Sequence, residues 1–241
     1  MGFVDIHNHI LPGVDDGAED YEEALGMIQL AYEQGTRVIV CTPHYTKGAN
    51  SYTYDGLEEV CDELTKKVKT LYEDVDIYLG NEILYEEGIV DDLKAGLIHT
   101  MGQSKYVLVE FNIRIPYQEM YHAFQKLSKA RFRPILAHVE RYACLMKQEA
   151  CLQELLDMGV SLQMNASSVE GSMWDEQTRW CRRLIKRGYI QLIGTDAHDM
   201  NHRVPFMKEA YEWVMKKCGA EMADALFVTN SKKVLENQYI L

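Results

Sequence analysis

Five histidines and four carboxylates carry the chemistry of this 241-residue chain: His7, His9, His44, His138 and His198, with Asp16, Glu82, Glu110 and Asp196. Imidazole nitrogens and carboxylate oxygens are the donors that divalent metals take. His7 and His9 form a His-x-His pair at the end of an apolar run, and alternation along a strand turns residues i and i+2 to one side, so both can meet one ion. Asp196 and His198 repeat that spacing as Asp-x-His after a second run. A carboxylate at the end of an apolar strand, as at Glu82 and Glu110, is costly to desolvate unless a cation or hydrogen bonds compensate. Each signal alone is weak, and the combination implies a multinuclear metallohydrolase. The turn Gly13-Val14-Asp15-Asp16-Gly17 adds acidic side chains and leaves Asp15 and Asp16 as rival ligands.

Such side chains converge only if their elements share one end. Short β-branched, apolar runs at 3–6, 37–41, 77–79, 106–110, 134–137, 161–164 and 191–193 read as seven strands. Amphipathic segments at 20–34, 56–72, 117–129, 149–158, 175–186 and 204–217 read as helices. Gly35, Gly159, Gly188 and Gly219 follow helical stretches where a left-handed cap is expected. Alternation of strand and helix predicts a mainly parallel sheet. The expected fold is α/β, a TIM-type barrel of seven units with one missing or distorted, and an open doubly wound sheet is the alternative. No Gly-x-Gly-x-x-Gly turn follows a strand, which weakens the nucleotide-binding form of that alternative. In barrels the site lies at the carboxyl ends of the strands, where the nine residues fall. Residues 48–56 read equally as a mobile loop near the site or an inert connection.

The length suits one domain, 1–241, and 47% hydrophobic residues are enough to bury a substantial core. A net charge of -12 disfavours nucleic acid, whose phosphates call for clustered Lys and Arg. An anionic substrate stays compatible, because bound cations reverse the sign locally. The six cysteines lack C-x-x-C spacing and read as reduced thiols. With no basic segment ahead of an apolar run and no apolar stretch near ~20 residues, a cytoplasmic protein without membrane insertion is expected.

Asp5-Ile6-His7-Asn8-His9-Ile10-Leu11-Pro12-Gly13-Val14-Asp15-Asp16-Gly17, Thr42-Pro43-His44, Gly80-Asn81-Glu82-Ile83, Leu108-Val109-Glu110-Phe111, Ala137-His138-Val139-Glu140-Arg141-Tyr142 and Thr195-Asp196-Ala197-His198 together resemble the polymerase-and-histidinol-phosphatase (PHP) superfamily of metal-dependent phosphoesterases. Within it the chain is similar to bacterial manganese-dependent tyrosine-protein phosphatases found with capsule and exopolysaccharide gene clusters. The resemblance spans nearly the full length. It implies a distorted (β/α)7 barrel of the PHP type holding three divalent ions, manganese first, with iron or zinc as alternatives. It further implies that His7, His9, Glu82 and Asp196 hold one ion, Glu82, Glu110 and His138 a second, and Asp16, His44 and His198 a third. The implied substrate is phosphotyrosine on the tail of a bacterial tyrosine autokinase.

Three divalent ions against four carboxylates leave a formal excess of about two positive charges, which a phosphate dianion neutralises. Such ions activate water for attack at phosphorus, so no protein nucleophile is needed. Arg141, three residues after His138, and Arg203, five after His198, are placed to reach phosphoryl oxygens, where a guanidinium fork suits the task. Lys47 is the weaker candidate and reads as solvated. Cys181 and Arg187 have the C-x5-R spacing of cysteine phosphatases, but the intervening residues contain no glycine and read as helix. His99 and His122 read as solvent-facing or partly packed, and His202 as a surface residue near the pocket. Tyr45, Tyr52, Tyr54, Tyr117 and Tyr142 are candidates to wall a groove for an aromatic leaving group. Three rivals stand: a histidinol-phosphate phosphatase with the same metals, an amidohydrolase, and a non-catalytic metal-stabilised interaction module. No lysine ends strands three to five for an amidohydrolase to carboxylate, and a degenerate module usually lacks ligands.

Overall fold

Among the described residues nine parallel strands fill seven positions around a curled sheet, because two positions are each broken in the middle. The computed structural model describes residues 2–172 and 174–240. The strands are β1 (Phe3–Asn8), β2 (Thr36–Cys41), β3 (His44–Tyr45), β4 (Asp76–Leu79), β5 (Glu82–Leu84), β6 (Tyr106–Glu110), β7 (Arg133–Leu136), β8 (Ser161–Asn165) and β9 (Leu192–Gly194). Their order is β1-β2-β4 in one sheet and β3-β5-β6-β7-β8-β9 in the other. An Asn8–Ala197 bridge and the bond from His9 N–H to Ala197 O (2.8 Å) join β9 back to β1. This is the expected distorted α/β barrel.

The breaks have local causes. Pro43 offers no N–H to a ladder, and after it β3 pairs with β5, His44 against Glu82. Gly80 and Asn81 interrupt the next position, where Asn81 Nδ2 donates instead to Pro43 O (3.0 Å). The breaks therefore bring His44 and Glu82 side by side at the carboxyl end. The lower part of the wall stays open between β4 and β6, where the turn Met101–Gln103 packs.

Helices α1 (Tyr21–Gln34), α2 (Tyr54–Leu71), α3 (Ile89–Lys94), α4 (Tyr117–Lys129), α5 (Glu149–Asp157), α6 (Ser167–Glu170), α7 (Glu176–Lys186) and α8 (Lys208–Cys218) cover the sheet. Asp20 caps α1 by accepting from the Glu22 and Glu23 N–H groups, and Gly35 closes it at φ 106°. The predicted start of the last helix at 204 moves to Lys208; Pro205 disfavours helical backbone at Val204 before it. Ala220–Asp224, Ala225–Thr229 and Asn230–Leu235 add helical turns that the sequence pattern did not reveal.

Inside the barrel Ile6, Val40, Leu108, Ile135 and Leu192 form a fully buried floor, at about 1.5–3 kcal/mol per side chain. Leu162 and Met164 of β8 pack outward under the helices, so period two turns Ser161, Gln163 and Asn165 to the other face. Those three polar residues are also buried.

Candidate metal centre

Above that floor the nine side chains predicted from the sequence meet. His7 Nε2 and His9 Nε2 stand 3.4 Å apart. Glu82 Oε2 lies 3.1 and 3.2 Å from them, and Asp196 Oδ1 3.4 and 3.5 Å. These four residues form one group able to hold an ion, and they are the set the resemblance implied. His9, Asp16, His44 and His198 form a second. His44, Glu82 and Glu110 form a third, in which His44 Nδ1 lies 3.3 Å from Glu82 and 3.2 Å from Glu110. His138 Nε2 meets the same carboxylates, at 2.8 Å from Glu82 Oε1 and 3.6 Å from Glu110 Oε2. His44 thus faces two groups, more than was assigned to it.

The geometry separates the rival aspartates. Asp15 Oδ2 accepts from His9 Nδ1–H at 2.7 Å and from His44 N–H at 3.0 Å, so it turns both histidines from behind. Asp16 Oδ1 faces the cluster, 3.4 Å from both His44 Nε2 and His198 Nε2. Gly17 presses against His9: a Cβ there would lie 1.9 Å from His9 O. Backbone strain also marks the site, since His138 (φ 32°) and Asp196 (φ 55°) are left-handed. The His138 bend leads into the short turn Val139–Arg141 and returns Arg141 over the site.

Electrostatics test whether this donor set fits a cation. His198 Nδ1–H donates to Asp196 O (3.0 Å), so its Nε2 carries the lone pair. That atom is buried, without a hydrogen-bond partner, and faces a carboxylate oxygen. Burial, with His9 and Arg203 nearby, lowers the His198 pKa to about 4 and keeps the imidazole neutral. A lone pair facing a carboxylate repels it unless a cation lies between, and nitrogen and oxygen donors without thiolate suit a hard or borderline divalent ion. Burial opposes ionisation of Glu82, yet the charge of His7 and hydrogen bonds from His138, His7 and His9 hold its carboxyl well below the usual range. Burial likewise opposes protonation of His138, but Glu110 and Glu82 raise it to about 10. Metal-free, His138 holds a proton that an ion would displace.

Arg141 Nη2 and Arg203 Nη2 both donate to Asp196 Oδ2, at 2.6 and 2.7 Å, while Oδ1 of that carboxylate faces His7 and His9. Asp199 fixes the Arg203 turn by accepting from the backbone N–H groups of 201 to 203. Beside the arginines lies a cavity of about 220 Å³ lined also by Asn165, Glu170, His202 and Phe206. His202 is exposed and lines this cavity, so both readings of it hold.

The other candidates lie outside the donor set and the arginine cavity. Lys47 pairs with Asp92 at 3.0 Å. His122 is exposed, and His99 is packed, stacked on Tyr54 with centroids 3.6 Å apart. Tyr142 is buried and its hydroxyl accepts from Phe111 N–H, Tyr117 donates to Glu154, and Tyr52 donates to His44 O. None of the five tyrosines lines the arginine cavity, where Phe206 supplies the aromatic wall. Cys181 is buried within α7, and burial pushes its thiol far up, while Arg187 pairs with Glu149. No thiolate loop exists there.

Sequence reasoning passed over the supports. Asp5 accepts from Thr195 Oγ1 (2.6 Å) and Thr195 N–H (2.9 Å), tying β1 to the strand exit that carries Asp196. Gln163 and Asn165 of β8 touch His7 and Asp196. The alternation that turns them inward was readable in the sequence.

Comparison with known proteins agrees with this geometry. The family described as "Capsular polysaccharide synthesis, CpsB/CapC" matches residues 3–236. The tyrosine-protein phosphatase CpsB of Streptococcus pneumoniae is 31% identical over 98% of this chain and 100% of its own. The tyrosine-protein phosphatase YwqE of Bacillus subtilis is 29% identical over 98% and 93%. A chain from the crystal structures of YwqE and S. pneumoniae CpsB, described as unique metal-dependent tyrosine phosphatases, superposes with a TM-score of 0.91 at 28% identity, covering 99% of this chain and 96% of that one.

Proposed function

This chain belongs to the CpsB/CapC capsular polysaccharide synthesis family, and on that premise we propose that it is a metal-dependent tyrosine-protein phosphatase. The observation that carries the reading is the Asp196 carboxylate, which turns one oxygen to His7 and His9 and the other to Arg141 and Arg203. Metal-binding and anion-binding groups thereby share one side chain, an arrangement suited to hydrolysis of a phosphate monoester.

The single domain 1–241 acts with three divalent ions, manganese first. His7, His9, Glu82 and Asp196 hold one, Glu82, Glu110 and His138 a second, and Asp16, His44 and His198 a third. Ions bound there would supply positive charge for phosphoryl oxygens and would lower the pKa of a water near them. Arg141 and Arg203 turn from Asp196 to the phosphoryl oxygens, each with a planar fork of donors. Asp15 holds His9, and Tyr52 with Asn81 holds the His44 backbone, so neither imidazole has to reorient when substrate arrives. Phe206 and Val204 give the aromatic leaving group an apolar wall.

The substrate in this reading is phosphotyrosine on the tail of a bacterial tyrosine autokinase, met in the cytoplasm. Among the described residues no helix is long and apolar enough to cross a membrane. Phosphate release from a phosphotyrosine peptide is expected to require Mn²⁺ and to vanish with EDTA. Activity surviving exhaustive chelation contradicts the metal chemistry, and faster release from histidinol phosphate contradicts the substrate.

A further inference from the structure

We propose that Gln163 and Asn165, on the strand to which the sequence assigns no ligand, are positioning residues that set the tautomer of His7 and hold the Asp196 carboxylate for the metal. The inference rests on the metal-binding part of the proposed function and is independent of the substrate.

The side-chain orientations follow one from another, starting at a backbone group. His138 N–H can only donate, and it lies 2.7 Å from a terminal atom of Gln163, so that atom is the oxygen, Oε1. The same oxygen lies 3.1 Å from His7 Nδ1. An amide oxygen only accepts, so Nδ1 carries a proton, and when the ring is neutral, as a metal ligand must be, the Nε2 lone pair lies on the side where Glu82 and Asp196 converge. Gln163 Nε2 then donates to Asn165 Oδ1 at 3.0 Å. That leaves Asn165 Nδ2 to donate to Asp196 Oδ2 at 2.8 Å.

Two neutral amides thus connect ligands from three other strand ends, those of β1, β7 and β9. Both are buried, so no water competes for these bonds. The packing leaves no slack: a Cβ at Gly194 would lie 2.8 Å from His7 Cβ and 3.3 Å from Gln163 Nε2. Asn165 N–H in turn donates to the buried Glu140 Oε1 at 3.0 Å, which fixes the strand end. Asp196 Oδ2 has three donors, of which only the amide belongs to a short side chain anchored in a strand. When Arg141 and Arg203 turn to a phosphoryl group, Asn165 remains, and Asp196 keeps its orientation. Partners behind ligating histidines and carboxylates typically matter by roughly 10–100-fold in metal affinity.

The test is Mn²⁺ titration of the full chain after metal stripping, read by isothermal calorimetry and by the free-Mn²⁺ electron paramagnetic signal. Gln163→Leu removes the acceptor and is expected to weaken the tightest site by roughly 10–100-fold. Gln163→Glu keeps an oxygen for His7 Nδ1–H but loses the donor to Asn165, and is expected to lose less affinity than Gln163→Leu. Asn165→Ala is expected to weaken the same site, and the double variant to lose less than the product of the two single losses, because the bonds run in series. Thermal unfolding of the metal-free variants reads the structural contribution separately. If Gln163→Leu and Asn165→Ala bind Mn²⁺ as the wild type does, with only the unfolding temperature lowered, the inference is overturned. It is equally overturned if Gln163→Glu loses as much affinity as Gln163→Leu. A wild-type chain that binds Mn²⁺ but spares phosphotyrosine overturns the substrate reading alone.

Discussion

His7, His9, Glu82 and Asp196 have side chains at most 2% exposed, whereas Asp16 is 67% exposed and His44 33%. The two regions share donor types and differ in their surroundings. Inner donors are set from behind by Asp15, in the turn after β1, and by Gln163 and Asn165 on the packed strand β8. Asp16 sits on an exposed turn, and no hydrogen bond or caging side chain fixes its other oxygen among the described contacts. A site that must keep its metal benefits from burial, because low dielectric strengthens each charge interaction. A site that must admit a phosphoryl group has to stay open. On the proposed assignment the inner group suits retention of an ion, and the exposure of Asp16 and His44 suits the outer group to exchange with solvent and substrate.

Removing the hub should break this comparison most severely. Glu82 contacts His7, His9, His44 and His138, so it belongs to both regions. Glu82→Ala is expected to lower kcat/KM by about three orders of magnitude, as loss of several kcal/mol of metal-centred stabilisation implies. Steady-state kinetics with saturating Mn²⁺ checks this, and a loss under tenfold contradicts it.

Stepwise chelation sharpens the contrast. Dialysis against increasing EDTA, followed by elemental analysis, is expected to strip the outer ion first and the inner ion last. Asp16→Ala should weaken outer binding by roughly 10–100-fold while changing metal-free stability by no more than ~0.5 kcal/mol, since the side chain is on the surface. A single cooperative loss of all metal contradicts the division into two regions.

The pH response of the metal-free chain tests the buried side. The folded His138 pKa is raised from 6.5 to about 10, so its stabilisation is fully present below pH 6.5 and fades as pH rises through about 10. Glu82 is shifted down by the same contacts, so its stabilisation is present above about 4.5 and fades in acid. The two shifts describe one interaction and are not additive. Thermal unfolding between pH 6 and 10 should therefore show falling stability, and Mn²⁺ affinity should rise over that range as the competing proton leaves. The smallest effect is expected from Tyr52→Phe, which loses a bond to the His44 backbone worth about 1 kcal/mol and should slow turnover by up to about tenfold.

The barrel was largely legible because its strands are apolar runs spaced by helices, and each of the seven predicted runs overlaps a strand, with Ala137 and Gln191 one residue outside. What escaped has physical reasons. β3 and β5 are two and three residues long and pair only because Pro43 and Gly80-Asn81 break the ladders before them, a consequence of tertiary packing without a periodic signature. The C-terminal turns after Gly219 follow one another closely, and their apolar residues mark no separate repeat. At the site, charge drew attention to the nine donors and to Arg141 and Arg203. Gln163 and Asn165 carry no charge, so only their inward parity on β8 distinguished them. Asp15 and Asp16 are adjacent and alike in sequence, and only the turn's direction gives one to His9 and the other to the cluster.

The most direct test is anomalous diffraction from a crystal of the chain grown with Mn²⁺, at the manganese edge. Three peaks are expected within the cluster bounded by His7, Asp16, His138 and Asp196, the strongest among His7, His9, Glu82 and Asp196. A map with no peak between those side chains contradicts the metal centre itself.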